Sequence, residues 1–252
     1  MKKIFSALCL ILLLTSISAS ANNNCISWFV KSVDDHLQPN LMDGGKTYDE
    51  YDVLSIGNAD EKVIYLTFDA GYENGNVAKI LDILKKQNVK ATFFILPAII
   101  KFNTDIVIRI HDEGHIVANH TYSHKNISSM SKGELTNELE NLEDIYHDRT
   151  GNILSKYFRP PEGSFSEQSL QYLKELGYRT VFWSFAYVDW DNGNQKPLQW
   201  AYDKIMSNVH NGMVMLLHPN STTNAAILDD VIIALKVQGY RFETLDYLYN
   251  HR

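Results

Sequence analysis

The stretch Val63–Leu96, VIYLTFDAGYENGNVAKILDILKKQNVKATFFIL, decides the fold. Its opening VIYLTFD is a short apolar run of strand formers that ends on one carboxylate, Asp69, before Ala70, Gly71 and a polar loop. In NVAKILDILKKQ the residues Val77, Ile80, Leu81 and Leu84 fall on one helical face, and ATFFIL reads as a second buried strand. Strand, helix, strand is the repeating unit of a parallel sheet.

The pattern continues downstream. A helix around IVIRIHDEG stops at Gly114, and HIVANH reads as a strand. Ser131 and Glu134 form a capping box ahead of a helix striped by Leu135, Leu139, Leu142 and Tyr146. YFRPP is a short strand stopped by prolines, and Ser166 opens a helix lined by Leu170 and Leu173, with Gly177 placed to cap it. TVFWSF predicts a strand, PLQWAYDKIMSNV a helix, MVMLLH a strand, LDDVIIALKVQG a helix, and RFETLDYL a final strand and turn. Upstream, Asn22–Glu61 is broken by Pro39, Gly44, Gly45 and Gly57 and reads as a lead-in wrapping a main domain over 62–252. The alternation predicts an α/β fold on a parallel sheet, either open or closed into a barrel. Neither a GxGxxG nor a GxxxxGK loop occurs, which removes the commonest reason for an open nucleotide-binding sheet.

The 252 residues, 45% of them hydrophobic, suffice for one substantial core. Lys2 and Lys3 precede an apolar run from Ile4 to Ile17 and then Ala19-Ser20-Ala21, so residues 1–21 are expected to be a cleaved export signal, with no membrane anchor afterwards. Cys9 leaves with it, Cys25 remains as the only thiol, and no internal disulfide is then possible. Removing two lysines takes the formal charge from -7 to -9, and no lysine or arginine run is present. Nucleic acid and anionic membrane surfaces are poor partners for such a chain.

Polar residues able to do chemistry follow the strand runs: Asp69, His120 with His124, Arg159, Asp189 and His218. In a parallel barrel the C-terminal strand ends converge on one face, so these residues can share a site. His120 and His124 lie four apart, and one helical turn would aim both rings the same way, as in many divalent metal sites; a structural role is the alternative. Asp69 fits either a buried structural carboxylate or a general base kept ionised by Arg159. His218 fits a packed core histidine or a catalytic acid, which Asp189 could orient. The other histidines, His36, His111, His115, His147, His210 and His251, have no comparable placement. Trp190, directly after Asp189, suits a pocket wall for a small apolar group. Ser164 and Ser166 lack a GxSxG elbow, which argues against serine hydrolysis.

Taken in order, TFDAG, HTYSH, RPPEG, VDW and LLH resemble the five motifs of the family-4 carbohydrate esterases, the polysaccharide deacetylases with a NodB homology domain. TFDAGYENG, FWSFAYVDW followed by NQKP, and the ILDD helix after LLHP further resemble deacetylases of spore-forming bacteria that initiate muramic δ-lactam formation in cortex peptidoglycan. The resemblance implies a distorted (β/α)7 TIM-like barrel that removes acetyl from N-acetylmuramic acid in glycan strands already stripped of stem peptides by an amidase. The site of action would be the cell wall or the forespore intermembrane space. It implies Asp69 as base, Arg159 as its positioner, His120 and His124 as ligands of a divalent metal such as zinc, Asp189 and His218 as the acid pair, and Trp190 and Leu216 as the acetyl pocket. An oxyanion donor is expected from the backbone near Tyr157 to Arg159.

Two departures stand out. Ala70 occupies the position of the family's third protein ligand, so a weaker or more open metal site is expected. Glu162 stands where a basic residue in some relatives could meet the muramoyl carboxylate, leaving Lys125, Arg179 and Lys196 as candidates for that contact. The competing functions are a deacetylase of N-acetylglucosamine polymers and, because of Ala70, a glycan-binding pseudoenzyme.

Overall fold

The computed structural model describes residues 24–33 and 36–251; the expected export signal and Cys9 lie outside the described residues. The chain passes through β1 (Ile26–Ser27), β2 (Val30–Lys31), β3 (Asn40–Leu41) and β4 (Val53–Leu54) before the long central strand β5 (Val63–Ala70). Helices and strands then alternate: α1 (Asn76–Gln87), β6 (Thr92–Ile95), α2 (Pro97–Phe102), α3 (Thr104–Asp112), β7 (Ile116–Asn119), α4 (Lys132–Thr150) and β8 (Tyr157–Phe158). After β9 (Ser164–Phe165) come α5 (Glu167–Glu175), β10 (Arg179–Val181), α6 (Leu198–Met206), β11 (Met213–Leu217), α7 (Thr222–Val237), β12 (Arg241–Phe242) and α8 (Leu245–Asn250).

The main sheet runs β11-β5-β6-β7-β8-β10-β4, with β12 also paired to β5, and its pairings are parallel. The strand expected over Thr180–Phe185 is split. Val181 is its last sheet residue beside β4, after which the chain crosses to β11: Ser184 and Phe185 both donate backbone N–H to the Val214 carbonyl, and Phe185 bridges Met215. These irregular bridges curl the sheet into the distorted α/β barrel that the five motifs imply.

Alternation along β5 explains why its sequence is apolar throughout. Ile64, Leu66, Phe68 and Ala70 join the cluster that includes Val77, Ile80 and Leu84 of α1 and Val231 and Leu235 of α7. Tyr65 joins Phe94, Ala118, Tyr157, Val181 and Val214 in a separate inner cluster. A strand buried on both faces has no polar side to show in its sequence. Burying each large side chain contributes about 1.5–3 kcal/mol, so β5 is a main source of stability.

The capping box before α4 is present, with the Glu134 side chain accepting from the Ser131 N–H at 2.8 Å and Ser131 Oγ accepting from the Glu134 N–H at 3.3 Å. Helices α2, α7 and α8 differ from the sequence expectation, α2 being a short helix that starts at Pro97 where none was expected. α7 starts at Thr222, ahead of the LDDVIIALKVQG pattern, because Ser221 caps it by accepting from the Asn224 N–H. α8 forms where a turn was expected, capped by Thr244. The segment before β5 is built into the fold: β4 extends the main sheet, β1 pairs with β9, and Trp28 stacks on Phe182 at 4.4 Å. Among the described residues no helix is long and apolar enough to cross a membrane.

Candidate active site

The C-terminal strand ends surround a cavity of about 660 Å³. Asp69 reaches it from the end of β5, His120 from just after β7 and His218 from just after β11. His124, Trp190 and Leu216 also line it, as do Tyr72, Glu162 and Asn220. Gly163 forms part of the wall at φ +64°, where an added Cβ would meet Trp183 at 2.7 Å and Trp28 at 3.1 Å; a larger residue would be both strained and crowded.

Arg159, just after β8, is 0% exposed and organises one side. Its Nη1 donates to Asp69 Oδ1 at 2.8 Å, its Nη2 to Thr67 Oγ1 at 2.9 Å and the Phe182 carbonyl at 3.2 Å, and its Nε to the Val181 carbonyl at 3.1 Å. Thr67 in turn donates to the Met215 carbonyl at 2.8 Å, and the guanidinium lies 4.2 Å from the Phe94 ring centre. Burial pushes the Asp69 carboxyl upward, but the charge of Arg159, helped by the fields of His120 and His218, outweighs it and holds the group below the usual carboxylate range. An ionised carboxylate with Oδ2 directed towards His120 is thereby kept available.

His120 Nδ1 lies 2.8 Å from the Arg159 carbonyl, which can only accept, so Nδ1 carries the proton. Nε2 then turns a lone pair towards Asp69 Oδ2, 3.6 Å away, and burial drives the ring's pKa down to about 4, so the imidazole stays neutral. The His120 and His124 rings lie 5.0 Å apart, but the helical turn expected to join them is absent. Thr121 and His124 adopt left-handed φ values of 71° and 54°, stabilised as Asn119 Oδ1 accepts from the Thr121 N–H and Thr121 Oγ1 from the His124 N–H, both at 2.9 Å. A neutral imidazole with its other nitrogen anchored on a carbonyl is the donor a divalent metal requires. Among the described residues no group of three His, Cys, Asp or Glu side chains converges to hold an ion, so the fit is to an open site on two imidazoles. Ala70 is fully buried in the outer apolar cluster with Phe68 and Val77 and is not part of the cavity wall.

On the other side, Asp189 Oδ1 accepts from His218 Nδ1 at 2.7 Å, and Oδ2 accepts from the His218 backbone N–H at 2.8 Å and from Asn224 Nδ2 at 2.6 Å. Asn224 Nδ2 also reaches the His218 carbonyl at 3.1 Å, and its Oδ1 accepts from the Tyr187 hydroxyl. Burial disfavours the imidazolium of His218, yet the hydrogen bond and charge of Asp189 prevail and raise its pKa. The Trp190 ring stands edge-on to His218 at 5.5 Å. Sequence reasoning missed Asn224 and Thr67. The only signal for Asn224 was its place three residues after the Ser221 cap.

Tyr157 does not line the cavity: its ring is buried in the inner cluster and its hydroxyl is 2.7 Å from Asp246. The neighbouring Arg159 N–H is already donated to the Asn119 carbonyl at 3.1 Å. None of Lys125, Arg179 and Lys196 lines the cavity either; Arg179 stacks its guanidinium on Tyr249 at 3.7 Å.

An ionised carboxylate, two imidazoles and a carboxylate-supported histidine in one cleft suit acid–base hydrolysis. The polysaccharide deacetylase family pattern matches residues 56–181. The chain is 42% identical to the peptidoglycan-N-acetylmuramic acid deacetylase PdaA of Bacillus subtilis, over 98% of this chain and 95% of that protein. The solved structure of Bacillus subtilis PdaA, a family 4 carbohydrate esterase, superposes with a TM-score of 0.86 at 41% identity, covering 90% of this chain and 97% of that one. A peptidoglycan-N-acetylglucosamine deacetylase of Bacillus cereus is 35% identical over 78% of this chain and 72% of its own length. The chain therefore belongs to the polysaccharide deacetylases, carbohydrate esterase family 4, and is a hydrolase of carbon–nitrogen amide bonds in carbohydrate.

Proposed function

We propose that the protein removes the acetyl group from N-acetylmuramic acid in peptidoglycan strands lacking stem peptides, after export, as a step towards muramic δ-lactam in spore cortex. The observation that carries this reading is the 42% identity to an N-acetylmuramic acid deacetylase across 98% of the chain.

Asp69 is the general base. Held ionised by Arg159, it takes the proton of the attacking water through Oδ2. Trp190 and Leu216 wall the space for the acetyl methyl and exclude bulk water from it. A divalent metal, zinc suiting the donors, would sit on His120 and His124 and supply Lewis-acid polarisation of the acetamide. His218, kept as an imidazolium by the Asp189 bond at Nδ1, delivers its Nε2 proton to the amine as the carbon–nitrogen bond breaks, and acetate leaves. The free 2-amino group can close onto the lactyl carboxylate only where no stem peptide occupies it, which places an amidase before this step.

The test is incubation of the mature protein with stem-peptide-free glycan and mass analysis of each sugar. Loss of acetyl from muramic residues is expected, abolished by chelation and restored by zinc. Loss from glucosamine residues alone would overturn the reading in favour of an N-acetylglucosamine deacetylase, the alternative supported by the acidic Glu162 in the cavity wall.

A further inference from the structure

The GYENG turn after Ala70 and the loop after Trp190 carry polar side chains that the hydrolytic chemistry leaves unused. They meet at the Tyr72 hydroxyl, which accepts from Asn220 Nδ2 at 3.0 Å and from Asn192 Nδ2. The amide orientations are assigned from their neighbours. Asn220 Nδ2 also reaches the Trp190 carbonyl at 3.3 Å, and a carbonyl can only accept. The two hydrogens of Asn220 Nδ2 serve Tyr72 and the Trp190 carbonyl, and Asn192 turns its Oδ1 rather than its own NH2 towards that nitrogen at 3.4 Å, which leaves Asn192 Nδ2 for Tyr72. With two donors on its oxygen, the phenol has its own proton left to give. Tyr72 is 43% exposed and lines the cavity, so the acceptor it can serve is a bound ligand. Bonds received at the oxygen polarise the O–H and strengthen the bond it donates.

The charge of the cavity says which acceptor matters. No lysine or arginine lines it, while Asp69 and Glu162 do. With His218 and the two imidazoles committed to the reacting acetamide, a negative group elsewhere on the substrate meets neutral donors of the cavity wall, and the polarised Tyr72 hydroxyl is one of them. We propose that the Tyr72 hydroxyl, held by Asn192 and Asn220, receives the lactyl carboxylate of the muramoyl residue and so determines specificity; this rests on the muramoyl substrate proposed above. The turn is braced for the task, since the side chains of Asn74 and Asn76 both donate to the Asn220 carbonyl, at 2.8 and 2.9 Å. An attached stem peptide converts the carboxylate to an amide and removes the charge that strengthens this contact.

The experiment compares kcat/KM on stem-peptide-free glycan with its lactyl carboxylates free and on the same glycan after their conversion to methyl amides. Wild-type protein is expected to prefer the free acid by about tenfold or more, the range of a hydrogen bond to a charged group. Tyr72→Phe, which keeps the ring, is expected to lose that preference through KM, and Asn192→Ala to lose part of it. Loosening of the turn alone would lower both rates together and leave the ratio intact. A preference unchanged in Tyr72→Phe, or absent from the wild type, overturns the assignment of Tyr72 while leaving the muramoyl reading standing. Wild-type protein that deacetylates muramic residues in neither glycan overturns the substrate reading and this inference with it.

Discussion

Across one cavity, Asp69 lies 3.6 Å from His120 while Asp189 lies 2.7 Å from His218. The residue types are the same and the outcomes opposite. At the first pair a buried arginine claims the carboxylate, and the imidazole spends its only N–H on a backbone carbonyl, so the aspartate stays charged and the histidine neutral. At the second, the carboxylate bonds directly to the imidazole N–H and no arginine competes, so the histidine is favoured in its charged form. An Asp–His pair takes its role from the third partner. The presence of Arg159 at one pair and the direct Asp189–His218 bond at the other separate the two outcomes.

Breaking the first side should have the largest effect. Arg159→Met leaves Asp69 buried without its counter-charge, and loss of one partner of a buried pair costs about 3–5 kcal/mol, so a fall in melting temperature should accompany loss of acetate release. A variant with unchanged thermal stability would show that Arg159 does not organise this side. Next comes Asp69→Asn, which can still accept from Arg159 but is no base and leaves the buried guanidinium without its counter-charge; a drop of about 10²–10⁴ in kcat is expected, with a lowered melting temperature. Activity at the wild-type level would remove Asp69 from its role.

Asp189→Asn sharpens the second side. His218 must be protonated to act, so activity falls as pH rises through its raised pKa. Without the Asp189 charge that pKa drops, and the alkaline limb of the pH–kcat profile should move to lower pH, with kcat reduced by about a hundredfold. A limb that stays in place would assign it to another group. The smallest effect is expected far from both pairs: Ser131→Ala should cost about 1 kcal/mol of stability through loss of the capping box, with kcat/KM intact.

The strand ends carrying Asp69, His120 and His218 were legible because apolar runs stop at them, and the capping box at Ser131 was legible because its two residues are local. What escaped depended on distant partners. The turn holding His124 rests on left-handed backbone at Thr121, which no spacing rule reveals. The strand expected through Phe185 ends at Val181 because the barrel seam needs the chain to change neighbours, from β4 to β11. Ala70 is buried in the apolar cluster while Asp69 lines the cavity, a division that alternation along β5 accounts for. The Tyr157 hydroxyl is committed to Asp246, a partner 89 residues away that no local pattern reveals.

Arg159 has a consequence for descent as well as for chemistry. Its guanidinium joins β5 to the last residue of β10 and the one after it, and through Thr67 reaches β11, so it serves as a rivet of the barrel. Drift that abandons hydrolysis can discard a cavity-facing histidine at little structural cost, but it cannot so freely discard the arginine or its counter-charge Asp69. Inactive descendants of such a protein should carry that arginine as a fossil, long after the reaction it once steadied has gone.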